Sequence, residues 1–91
     1  MGKLIFHRKN ILPDGDIVEM KISQVLETQD KLHGLNYSLA YIRKGERIVG
    51  YDNAEGKGDH RHYRGKEFPY TFKNIETLAE DFYKDIKRVG G

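Results

Sequence analysis

The chain has 91 residues, 37% hydrophobic and 33% charged, with 16 basic and 14 acidic side chains and no cysteine. That length fits one domain and leaves no room for two, and the missing cysteines exclude disulfides and thiolate metal sites, so a cytoplasmic location is the default expectation. No stretch approaches the roughly 20 apolar residues of a membrane span, and the first ten residues lack the apolar run of a signal peptide, so no membrane association is expected.

Residues 3–9 (KLIFHRK) are apolar and aromatic enough for a first strand. Pro13-Asp14-Gly15 follows as a turn, since Pro presets φ and Gly accepts a positive one. In residues 16–25, Val18, Met20 and Ile22 alternate with Glu19, Lys21 and Ser23, the period of a half-buried strand, so the first two strands form a predicted hairpin. Residues 26–35 read as a loop or a single helical turn broken by Gly34. Tyr37, Leu39 and Tyr41 then share one face of a third strand, Lys44-Gly45 makes a tight turn, and residues 46–52 (ERIVGYD) complete a second hairpin.

Residues 53–59 form a polar loop. HRHYR is a short strand and Phe68–Phe72 another, placed at an edge by Pro69. Asn74 is an N-cap, and Ile75, Leu78, Ala79, Phe82, Ile86 and Val89 recur at helical spacing, with Lys87 and Arg88 suited to the last turn and Gly90 as the stop. The expectation is a single α+β domain over residues 1–91. An antiparallel sheet of two hairpins plus short extra strands (residues 3–72) is packed by one C-terminal amphipathic helix (74–89). Glu76, Glu80, Asp81 and Asp85 are expected on an acidic outer face of that helix.

The formal net charge of +2 says little about partners, but its distribution is uneven. Lys57, Arg61, Arg64 and Lys66 cluster against one acid, Asp59, and enclose His60 and His62. On a strand, i and i+2 put both imidazoles on one face and send Arg61 and Tyr63 to the other. Paired histidines among cations suit phosphate chemistry. RNA cleavage without a metal needs a base for the 2′-hydroxyl, an acid for the leaving 5′-oxygen and a cation for the phosphorane charge. His60 and His62 can serve as base and acid, with Lys57 or Arg64 as the cation. Arg61 and Lys66 join these two as candidate phosphate or RNA contacts, and Tyr51, Asp52, Asn53 and Asp59 as supporting residues. No cofactor is called for.

Each of these residues also has a plainer role. An H-x-H pair in a basic turn is often only solvated, Glu55 and His33 suit solvated loops, and His7 extends a basic strand. Tyr37, Tyr41 and Tyr51 can stack bases, but strands favour aromatics for packing alone. Asn53 suits a turn with its side chain on backbone. Asp52 or Asp59 with the two histidines would also offer metal ligands, although no recognised spacing places a third one.

The run Tyr51-Asp52-Asn53-Ala54, a Gly-rich spacer at 56–58, the His60-x-His62 element, Tyr70-x-Phe72 and the Leu78–Phe82 helix core together resemble the TumE-type toxins of toxin–antitoxin modules. The resemblance covers nearly the whole chain, with its specific motifs in residues 50–86. It implies a partner, a helix-turn-helix antitoxin, and with it a toxin whose target is RNA if the histidine chemistry holds. It brings no established chemistry, so whether the protein is an enzyme at all stays open. The rival readings are a non-enzymatic interaction module that binds through a sheet edge and a metal-dependent phosphodiesterase.

Overall fold

A computed structural model describes residues 3–25, 34–53 and 58–90. Six strands, β1 (Lys3–Ile11), β2 (Ile17–Gln24), β3 (Leu35–Arg43), β4 (Glu46–Asp52), β5 (His60–Tyr63) and β6 (Lys66–Pro69), form one antiparallel sheet in sequence order. A single helix, α1 (Ile75–Arg88), packs on one face of it. The α+β expectation is met.

Period-two patterning does the sorting. Val18, Met20 and Ile22 on β2, Tyr37, Leu39 and Tyr41 on β3, and Val49 and Tyr51 on β4 bury on one face against Leu78, Phe82, Ile86 and Val89. All three tyrosines are therefore core residues, with no ring surface left for stacking bases. Asn74 caps α1 as expected, its side chain accepting from the Thr77 N–H at 2.7 Å. At the other end Arg43 Nη1 donates to the Val89 carbonyl at 3.2 Å, supplying a cation at the negative end of the helix.

Two tight turns set the registers. Lys44 and Gly45 both take positive φ, as do Arg64 and Gly65, the signature of two-residue type I′ hairpins. The second turn pairs Tyr63 with Lys66, so β6 starts at Lys66 and not at Phe68 as the sequence reading had it. It stops at Pro69, which has no N–H to extend a ladder. The chain then turns inward: Tyr70 sets its ring edge-on to Tyr51 and Phe72 stacks on Tyr37.

A second correction concerns the helix. Asp85 is not on an outer acidic face; it is 1% exposed and faces the sheet. Arg61 and Tyr51, both on the helix side of their strands, donate to its carboxylate, and those bonds hold a charge inside the interface. Asp81 is half-buried and accepts from the Tyr70 hydroxyl at 2.7 Å. Ile75, expected in the apolar stripe, is instead exposed at the first position of α1. Residues 26–33, with His33, and residues 54–57, with Glu55 and Lys57, lie outside the described residues.

Candidate functional site

The sheet face turned away from α1 carries the chemistry. On β4 the alternation that buries Tyr51 turns Gly50 and Asp52 outward, and the β4–β5 register sets Gly50 opposite His62 and Asp52 opposite His60. On β6, Glu67 lies opposite His62 and so joins the same face. The imidazoles share a side as their spacing predicts, with ring centroids 4.9 Å apart and planes at 79°.

His60 Nε2 lies 2.6 Å from Asp52 Oδ1, and its Nδ1 lies 3.1 Å from the Gly58 carbonyl. Both ring nitrogens thus meet oxygen atoms able to accept a hydrogen bond. His62 Nε2 is 3.6 Å from Asp52 Oδ2 and 3.6 Å from Glu67 Oε2, and His60 Nε2 is also 3.6 Å from Glu67 Oε2. The Glu67 oxygen therefore marks one point that both Nε2 atoms reach. An open cavity of about 220 Å³, lined by Asp59, His60, Glu67, Phe68 and Pro69, adjoins it.

Among the described residues, one cation at this site is not announced by the sequence. Arg47 Nη1 donates to Asp52 Oδ2 at 3.2 Å. Strict alternation would put Arg47 on the core side with Val49. A bulge between the pairs Tyr41–Val49 and Ile42–Arg47 inserts Ile48 and re-aims Arg47 to the histidine face. Its stem then lies across Gly50, where a Cβ would come within 2.8 Å of Arg47 Cδ. Glu67 was also missed. No spacing in the sequence announces either residue, because a bulge and a hairpin register decide which way they point.

The site tunes His62. Burial and the neighbouring Arg47 charge lower its pKa below the ordinary 6.5, against opposing pulls from Asp52 and Glu67. His62 is thus poised as a neutral imidazole at neutral pH.

The other sequence candidates separate. Arg61 is turned to the helix side, in a two-pronged bond to Asp85 (2.6 and 2.9 Å), and does not reach the histidines. Lys66, opposite Tyr63, belongs to the helix side of β6. Arg64 sits exposed in the turn, its guanidinium 5.8 Å from the Tyr63 ring centroid. Tyr51 serves the core by donating to Asp85 at 2.6 Å. Asn53 is fully buried and ties β4 to β3, accepting from the Tyr37 N–H at 3.0 Å and donating to the Leu35 carbonyl at 2.7 Å. Asp59 lies just before His60, its carbonyl accepting from the Tyr70 N–H at 3.2 Å. His7 pairs with Glu19 at 3.1 Å, at the far side of the sheet from the other histidines.

Asp52, His60 and His62 each offer a ligand atom, all within 4.8 Å of one another. This is the one grouping among the described residues with the composition of a metal site. The hydrogen-bond distance between Asp52 and His60 is short for two ligands of one ion. Ligands about 2.0–2.2 Å from a tetrahedral zinc stand well over 3 Å apart, so this pair would have to separate.

The family model described as Toxin TumE matches residues 3–89. The chain belongs to the TumE toxin family. It is accordingly the toxin component of a toxin–antitoxin module, and an antitoxin is its partner. Searches of curated proteins and of solved structures returned no match. Among the described residues of this TumE-family chain, no helix is long and apolar enough to cross a membrane.

Proposed function

We propose that this TumE-family toxin cleaves RNA without a metal ion, with His62 as general base and His60 as general acid. Neutral His62 takes the proton of the 2′-hydroxyl as the 2′-oxygen attacks phosphorus. The bond to the 5′-oxygen breaks, and that oxygen takes the Nε2 proton of His60. The products are a 2′,3′-cyclic phosphate and a free 5′-hydroxyl. Arg47 stabilises the charge that builds on the phosphorane. Asp52 orients His60 and keeps Arg47 in place. The single observation carrying this reading is the convergence of both Nε2 atoms on the point held by Glu67 Oε2. Glu67 is exposed and can swing away when an anionic phosphate takes that point. Lys57 and Arg64 are proposed as further contacts to the RNA backbone, with Lys66, on the helix side of β6, and Arg61, held by Asp85, both set aside. The target RNA and the helix-turn-helix antitoxin that restrains the toxin are both expected in the cytoplasm.

The test is cleavage of an RNA oligonucleotide in EDTA, beside the same strand with 2′-deoxyribose throughout. Cleavage of the RNA alone, with a cyclic phosphate end, supports the reading. The metal-dependent phosphodiesterase stands second because Asp52, His60 and His62 group as ligands. It predicts loss of activity in EDTA and recovery on adding a divalent ion.

A further inference from the structure

The two edges of the sheet are unlike. β6 is four residues long, carries Lys66 and Glu67, and ends on Pro69, all features that discourage strand addition. β1 is nine residues long and, among the described residues, has no strand beyond it. Every one of its residues is exposed, on both faces. Leu4, Ile5, Phe6 and Ile11 stand 38–71% exposed. A strand that buries neither face leaves a full row of backbone donors and acceptors beside apolar side chains.

Its charge decides the occupant. Residues 3–11 contain Lys3, His7, Arg8 and Lys9 and no acid. A second copy pairing edge to edge would bring three Lys and Arg from each chain into one strand pair, against a single acid, Glu19, on the adjacent β2 of each copy. RNA would meet the cations and the exposed ring of Phe6, but it would leave the backbone edge unpaired and the aliphatic Leu4, Ile5 and Ile11 uncovered. An extended peptide with acidic and apolar residues answers both features at once.

We propose that β1 is the antitoxin-docking edge: the antitoxin adds an extended acidic segment alongside Lys3–Ile11 as a seventh strand. The proposal rests on the family's toxin–antitoxin pairing and not on the cleavage chemistry. His60 and His62 lie on β5, with three strands between it and β1, so an antitoxin seated on β1 holds the toxin without itself filling the site.

The experiment uses the full-length toxin and the antitoxin encoded beside it. Amide exchange is followed in the free and bound toxin, and affinity is measured for a Lys3→Glu, Arg8→Glu, Lys9→Glu variant. A matched control reverses the exposed Lys73, Lys84 and Lys87. The expected result is slowed exchange in residues 4–10 on binding, together with an affinity loss of about 100-fold for the β1 variant and little change for the control. Unslowed exchange in residues 4–10 overturns the proposal. So does undiminished affinity of the β1 variant, or a β1 variant that loses RNA binding while it keeps the antitoxin. The exchange measurement needs no variant to fold, and neither readout depends on RNA being cut.

Discussion

Arg61 reaches across the sheet–helix interface to Asp85, Nε to Oδ2 at 2.6 Å and Nη2 to Oδ1 at 2.9 Å. The pair carries the connection between β5 and α1, and Tyr51 and Arg88 complete the shell around the same carboxylate. Removing Arg61 strands the Asp85 charge at a buried position, and removing Asp85 leaves a partly buried guanidinium without its carboxylate. Asp85→Ala is expected to cost about 3–5 kcal/mol in urea unfolding. Arg88→Ala, at a side chain 63% exposed, should cost about 0–1 kcal/mol. Equal losses for the two would show that the interface does not depend on the Arg61 pair.

The same carboxylate sets an acid limit on stability. Burial pushes the Asp85 pKa up, but the hydrogen bonds from Arg61 and Tyr51 and the charges of Arg61 and Arg88 outweigh it, and the group stays below the ordinary 3.8. A lowered folded value means that its contribution is fully present above the ordinary carboxylate value. It is lost as pH falls through the lowered one. Acid titration of unfolding midpoints should show a steeper loss in the parent than in Asp85→Asn.

The helix stripe gives the most direct test of the core. Phe82 is fully buried, and Phe82→Ala should cost about 3–5 kcal/mol. A midpoint unchanged within error would mean that α1 does not close the core. Here the sequence was informative, because period 2 in the strands and helical spacing in α1 follow from which side chains must leave water. Asn74, the Lys44-Gly45 turn and the shared face of His60 and His62 were legible for the same local reasons. The start of β6, the inward turn of Asp85 and the direction of Arg47 were not. Asp85 depends on partners far along the chain and Arg47 on a bulge, and local periodicity carries no trace of either. The start of β6 depends on the two-residue Arg64-Gly65 turn that sets the Tyr63–Lys66 pair.

Gly50 separates structure from chemistry at the site. A methyl there meets the flexible stem of Arg47, which can move, rather than backbone. Gly50→Ala should therefore change stability by less than about 1 kcal/mol while displacing Arg47. Cleavage should fall by about 10²-fold, as for loss of one group that stabilises transition-state charge. Arg47→Ala should give a similar fall, and the double variant little more. Additive losses would assign Gly50 a role apart from Arg47.

The central claim is that a neutral His62 accepts the 2′-hydroxyl proton, and the pH dependence of single-turnover RNA cleavage in EDTA tests it most directly. Burial and Arg47 hold the His62 pKa below 6.5, so the acid limb of the parent's profile should turn over below that pH. His62→Ala should cost about 10²–10⁴-fold in rate and erase that limb, with the fold intact. A His62→Ala variant that cleaves at the parent's rate, or keeps the parent's acid limb, would contradict the account.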